Sequence, residues 1–145
     1  MLWLALLLQL STQQGCDSQH GYFKNAGQTC LLTTDMDEAQ ETLFESLRAK
    51  EGELASALSD QQEFNASNVA TLVAALNARI GFLETKRDAT NGVPVDAYQA
   101  RIDQIAVERG SLTGRRDEAA KLGPVVSRLN REINELKRDL NASIP

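Results

Sequence analysis

Residue types that carry chemistry are scarce in this chain of 145 residues. It has one histidine, His20, two cysteines, Cys16 and Cys30, and one tryptophan, Trp3. A structural zinc site wants four closed ligands at characteristic spacings. Cys16, His20 and Cys30 with Asp17 nearby give C-x3-H and one distant cysteine, so no metal site is expected. The same Cys-His pair lacks the fixed positioning that an activated nucleophile needs. There is no H-E-x-x-H, no G-x-S-x-G and no Gly-rich phosphate loop, so no cofactor and no catalysis are expected. An excess of basic residues is also missing. Lys and Arg number 15 against 20 Asp and Glu, a net charge of −5. Nucleic-acid binders need clustered cations to displace counterions, and the best candidate, Arg115-Arg116, is cancelled by Asp117-Glu118 directly after it. No nucleic-acid partner and no small-molecule substrate are expected. Internal repeats and low-complexity tracts are absent too.

What is present is helical periodicity. Val126, Leu129, Ile133, Leu136 and Leu140 alternate at intervals of three and four, the rhythm of a helix seam. Taking Val126 as position a puts Ile133 at a and Leu129 and Leu136 at d, a distribution that suits parallel pairing. Glu132 and Lys137 would then meet across a dimer. The seam is about two heptads long, and an intramolecular bundle accounts for it equally well. The bundle is the first expectation and the dimer the second.

Three segments upstream supply partners. Asp35 and Glu38 have capping-box spacing, followed by a stripe of Leu43, Leu47, Leu54 and Leu58 flanked by Phe44 and Ala57. Asn65-Ala66-Ser67-Asn68 is cap-rich and breaks the helix. Asn65 and Asn141 head N-x-S sequons, although cap roles account for both. A second helix runs from about Ser67 to Arg87 on Val69, Leu72, Val73, Leu76, Ile80 and Leu83. Asn91-Gly92 stops it, and Pro94 opens a third that continues to about Leu122, with Tyr98, Ile102, Ile105 and Leu112 on one side. The short connection implies an antiparallel hairpin. Gly110 and Gly114 read as a flexible turn or a tight helix crossing, and Gly123-Pro124 as a second interruption. The fold class expected is all-α: an antiparallel hairpin or bundle of three to four helices with coiled-coil character, over residues 35–141.

The one strongly apolar run is MLWLALLLQL at residues 1–10. It suits the core of a signal peptide and falls well short of the ~20 residues of a spanning helix. No Lys or Arg precedes it. Gly15-Cys16 follows in the sequence Gln13-Gln14-Gly15-Cys16, which resembles the lipobox of bacterial lipoproteins. Gly15 matches the small residue before the cysteine and Gln14 is tolerated, while Gln13 stands where a small or apolar residue is usual. The resemblance covers residues 1–16 and implies cleavage after residue 15, diacylglycerol on Cys16, and an anchored, periplasm-facing protein. Asp17 would then resemble an inner-membrane retention signal. The reading divides the chain into a signal peptide (1–15), a flexible tether (16–34) and the helical domain (35–141). The competing expectation is secretion with a Cys16–Cys30 disulfide, contributing roughly 3 kcal/mol by the chain-entropy model.

The function that follows is an exported, membrane-tethered coiled-coil protein with a structural or protein-interaction role in the cell envelope. Its interaction seam would be Val126, Leu129, Ile133, Leu136 and Leu140, and its partner another protein or a second copy. A phage spanin shares this layout, without a spanin motif. The alternatives are a secreted, disulfide-clasped binding protein and an intracellular coiled-coil adaptor whose apolar start is core.

Overall fold

The computed structural model describes residues 12–91 and 94–145. The apolar run at residues 1–10 and Gly92 of the expected helix stop lie outside the described residues. The chain is all-α, with four long helices in antiparallel pairs: α2 (Glu38–Glu63), α3 (Ala66–Asp88), α4 (Pro94–Ala120) and α5 (Leu122–Ser143). Before them come a one-turn helix, α1 (Gln13–Ser18), two short strands, β1 (Tyr22–Lys24) and β2 (Thr29–Leu31), and a 3-10 turn at Thr33–Asp35. The chain divides into two compact units. One holds residues up to Leu54 together with Arg128–Pro145, and the other Ala55–Ser127.

In the first unit, α2 opens on a capping box at Asp37 and Gln40, two residues later than the expected Asp35 and Glu38. The Gln40 N–H donates to Asp37 Oδ1 at 2.8 Å, and the Asp37 N–H donates back to Gln40 Oε1 at 3.0 Å. Asp35 ends the 3-10 turn instead. The N-terminal halves of α2 and C-terminal halves of α5 run antiparallel, as the links Gln40 to Ser143 and Lys50 to Glu132 show. Between them lies a core of Phe44, Leu47, Ile133, Leu140 and Ile144, closed by Tyr22 from β1. Burying aliphatic side chains of this size stabilises by about 1.5–3 kcal/mol each.

The region expected to be a tether is folded. Cys16 on α1 is bonded to Cys30 on β2, with Cα atoms 5.6 Å apart. The strands pair antiparallel in the register Tyr22 with Leu31, Phe23 with Cys30 and Lys24 with Thr29. Their connection turns through left-handed backbone at Gly27 and Gln28, where glycine carries no steric penalty. Gly21 is fixed by space: a Cβ there would lie 2.7 Å from Cys30 Sγ and 2.9 Å from Cys16 Sγ. No larger residue fits against the bridge.

In the second unit, α3 and α4 form the expected antiparallel hairpin. Asn65 caps α3 by accepting the Asn68 N–H at 2.8 Å, and Pro94 is the first residue of α4. Arg87 meets Gln99 and Arg109 meets Asn77, which fixes the antiparallel direction. Val69, Ile102, Ile105 and Ala119 are its buried residues, together with Ala57. Helix α4 runs without a break through Gly110 and Gly114, and a Cβ at either would meet nothing within 4 Å. The expected turn or tight crossing there is not formed. The second interruption is found: α4 ends at Ala120 and α5 starts at Leu122, with Pro124 in its first turn.

Candidate interaction site

The expected seam is occupied from within. Leu129 and Leu140 are 1% and 0% exposed, Ile133 is buried, and Leu136 packs against the same core. Val126 is half-buried and belongs to the second unit. Glu132 and Lys137, which would pair across a dimer, reach α2 instead. Lys50 Nζ lies 3.1 Å from Glu132 Oε2, and Lys137 Nζ lies 3.9 Å from Glu51 Oε1. A seam filled by Phe44 and Leu47 of its own chain offers no knobs to a second one.

Cys16, expected to carry lipid, is fully buried with its sulfur bonded to Cys30. A sulfur in a disulfide has no valence for a thioether, so in this structure the lipidation site is closed. His20 is exposed in left-handed backbone after α1, where its N–H donates to the Asp17 carbonyl at 3.0 Å. It follows the end of α1, and no group of three or more metal-competent side chains occurs among the described residues.

Where α1 and β1 meet α2 and α5 there is a polar cleft of about 320 Å³, lined by Asp17, Tyr22, Phe23, Arg48, Glu51, Lys137 and Asn141 among others. The Tyr22 hydroxyl donates to Asn141 Oδ1 at 2.8 Å, with the Lys137 carbonyl at 3.2 Å. Burial, and then the nearby Glu51 carboxylate, raise the Tyr22 pKa above the ordinary value of 10.0. The phenol therefore stays neutral and serves as a donor. Arg48 is fully engaged. It donates to Glu51 Oε2 at 2.7 Å and to the Gly21 carbonyl at 3.2 Å, approaches Asp17 at 3.8 Å, and lies 4.8 Å from the centre of the Phe44 ring. Two cations and two carboxylates thus neutralise one another across the cleft. This arrangement latches the disulfide-clasped segment onto the helix pair. Lys24 adds a further tie, donating to the Ile144 carbonyl at 2.9 Å. Neither the cleft nor the latch was foreseen from sequence.

The second unit presents a different surface. Between α3 and α4 runs an open apolar groove of about 590 Å³, lined by Leu72, Ala75, Leu76, Val107, Glu108, Ser111, Leu112 and Arg115. Leu72 is 46% exposed, Phe82 60% and Val107 73%. The helical wheel explains the groove. The hairpin buries Val69 and half-buries Leu76 and Ile80 along one stripe, so apolar residues beside it stay wet. By length and composition α3 could cross a membrane, with a mean hydropathy of 1.3. Both sequon asparagines are in use: Asn65 Nδ2 donates to the Gln62 carbonyl at 2.8 Å, and Asn141 accepts from Tyr22.

No protein-family model matches this chain, and no curated protein or solved structure matches it. The class supported is therefore structural alone: an all-α protein of antiparallel helix pairs with a disulfide-clasped β-hairpin.

Proposed function

We propose that the protein is an exported helical module that acts by binding another protein and carries out no catalytic step. The observation that carries export is the Cys16–Cys30 bridge, buried within the fold rather than dangling from it. Disulfides persist in oxidising compartments and are held open by cytosolic reductants. The binding role is supported by the hairpin α3·α4, which leaves Leu72 and Val107 in water on an apolar groove. Contiguous exposed apolar surface, as distinct from single apolar residues in water, is the kind that marks interaction sites. The polar cleft supports the non-catalytic half of the reading, because its charged groups satisfy one another.

The test is the intact mass of the mature protein from its native source, before and after reduction. A lipid-free chain that gains two hydrogens is the expected result. Diacylglycerol on Cys16 would overturn the reading and put the envelope-anchored lipoprotein in its place. An intact Met1 with two free thiols would overturn export and leave an intracellular adaptor.

A further inference from the structure

We infer that Asn65 carries an N-linked glycan in the mature protein and that Asn141 does not. This rests on the export proposed above, because the sequon is an acceptor in secreted chains, and it deepens that reading by adding a modification. Sequence alone ranks the two sites equally. Asn65-Ala66-Ser67 and Asn141-Ala142-Ser143 are the same tripeptide.

The fold separates them. A glycan acceptor belongs in a surface loop, where a transferring enzyme reaches amide and hydroxyl together and the bulky product stays in water. Asn65 stands in the turn between the end of α2 at Glu63 and the start of α3 at Ala66, on extended backbone. Asn65, Ala66 and Ser67 are all exposed. Asn65 borders an open hollow of about 380 Å³ with Phe64 and Arg116, which leaves room for a first sugar. Asn141 lies inside α5, half-buried on the wall of the polar cleft, and its Oδ1 accepts the Tyr22 hydroxyl at 2.8 Å. The hydroxyl that completes its signal is engaged as well. Ser143 Oγ donates to the Leu140 carbonyl at 2.6 Å and accepts from Gln40 Nε2 at 3.2 Å. A sugar on Asn141 would have to lodge among Tyr22 and Lys137 and open the latch.

The cap role of Asn65 does not compete with a glycan. In the transfer, Asn65 Nδ2 forms a bond to C1 of an oligosaccharide carried on a lipid diphosphate. The C1–O bond breaks, the diphosphate leaves with the electron pair, and one amide proton passes to a base of the enzyme. The product keeps Oδ1 and one N–H. Oδ1 goes on accepting the Asn68 N–H at 2.8 Å, so α3 stays capped. The Gln62 carbonyl, which accepts from Asn65 Nδ2, also accepts from Asn68 Nδ2 at 2.8 Å and so keeps a donor in any case.

The test takes the full chain from its native source, wild type and variants expressed alike. Peptide-N-glycosidase in heavy-oxygen water leaves a heavy aspartate wherever a glycan stood, and peptide masses locate it. One marked site is expected, at Asn65, with Asn141 unmarked. Ser67→Ala should abolish the mark while Asn65 still caps α3, so the loss is not a folding defect. Ser67→Thr should retain it, and Asn141→Gln should leave it unchanged. A processed, disulfide-bridged chain with Asn65 unmarked, a mark at Asn141, or a mark at Asn65 that survives Ser67→Ala would each overturn the inference. All three leave export standing, whereas an intact Met1 with two free thiols overturns export itself, so the two failures are distinguishable.

Discussion

Removing the Cys16–Cys30 bridge gives the strongest check on the folded N-terminal segment. The two cysteines are 14 apart in sequence, and a closed loop of that length lowers the entropy of the unfolded chain by an amount worth about 3 kcal/mol. Cys16→Ala with Cys30→Ala leaves no buried thiol behind and keeps the space above Gly21 open. Since tenfold in an equilibrium constant is about 1.4 kcal/mol, amides in α1, β1 and β2 should lose protection by about a hundredfold. Hydrogen–deuterium exchange read by mass spectrometry resolves this segment by segment. The Gly21 carbonyl accepts from Arg48 and the Tyr22 hydroxyl holds Asn141, so α2 before Leu54 and α5 after Arg128 should loosen with the hairpin. Peptides from α3 and α4, which belong to the other unit, should keep their protection. A loss in the hairpin below about fivefold, well under the hundredfold expected from that loop entropy, would refute the claim that the bridge organises it. An equal loss in α3 and α4 would refute its confinement to one unit.

Tyr22→Phe removes the phenol contact with Asn141 and should cost about 1–2 kcal/mol in urea unfolding at neutral pH. Because the Tyr22 pKa is raised in the fold, the unfolded chain ionises first, and wild-type stability should decline as pH rises from about 10 through the higher folded value. That part of the decline should be missing in the phenylalanine variant. Leu140→Ala, at a fully buried site, should cost about 2–5 kcal/mol, whereas Leu58→Ala, at a site 46% exposed, should cost under about 1; calorimetry that ranks them equally would contradict the core assignment. Asp37→Ala should lower stability by about 1 kcal/mol through loss of the capping box, and Asp35→Ala should stay within about 0.5, as read from urea midpoints.

The helical half of the fold was legible because each signal is local. The Asn65 cap, Pro94 at the head of α4 and the break before Leu122 all act within one turn of their own residue. The seam was legible as a buried face, since Leu129, Ile133 and Leu140 repeat with the helix period. What covers that face was not legible. Periodicity says which side of α5 is apolar, and Lys50, Glu51, Phe44 and Leu47, some eighty residues away, decide what packs there. The capping box was misplaced for a simpler reason. Asp35 and Asp37 both precede an acceptor-bearing residue by three, and choosing between them needs the backbone geometry of the 3-10 turn.

The N-terminal hairpin escaped because nothing periodic announces it. Strands of three residues are too short to show alternation, and the polar stretch from Asp17 to Thr29 matches a tether in composition. A signal was present nonetheless: Tyr22-Phe23-Lys24 and Thr29-Cys30-Leu31 are β-prone triplets around Asn25-Ala26-Gly27-Gln28, with a glycine placed for left-handed backbone. Its order comes from a bridge and from hydrogen bonds that span more than a hundred residues, Tyr22 to Asn141 and Lys24 to Ile144. These partners lie downstream of any cleavage after residue 15, and so does the bridge. Such cleavage cuts α1 and removes Thr12, whose Oγ1 accepts the Gly15 N–H at 3.1 Å, yet it leaves the Tyr22–Asn141, Lys24–Ile144 and Arg48–Gly21 hydrogen bonds in the retained chain. A disulfide-clasped chain that starts at Cys16 can therefore keep this fold, whereas a chain with lipid on that sulfur cannot keep the bridge that closes it.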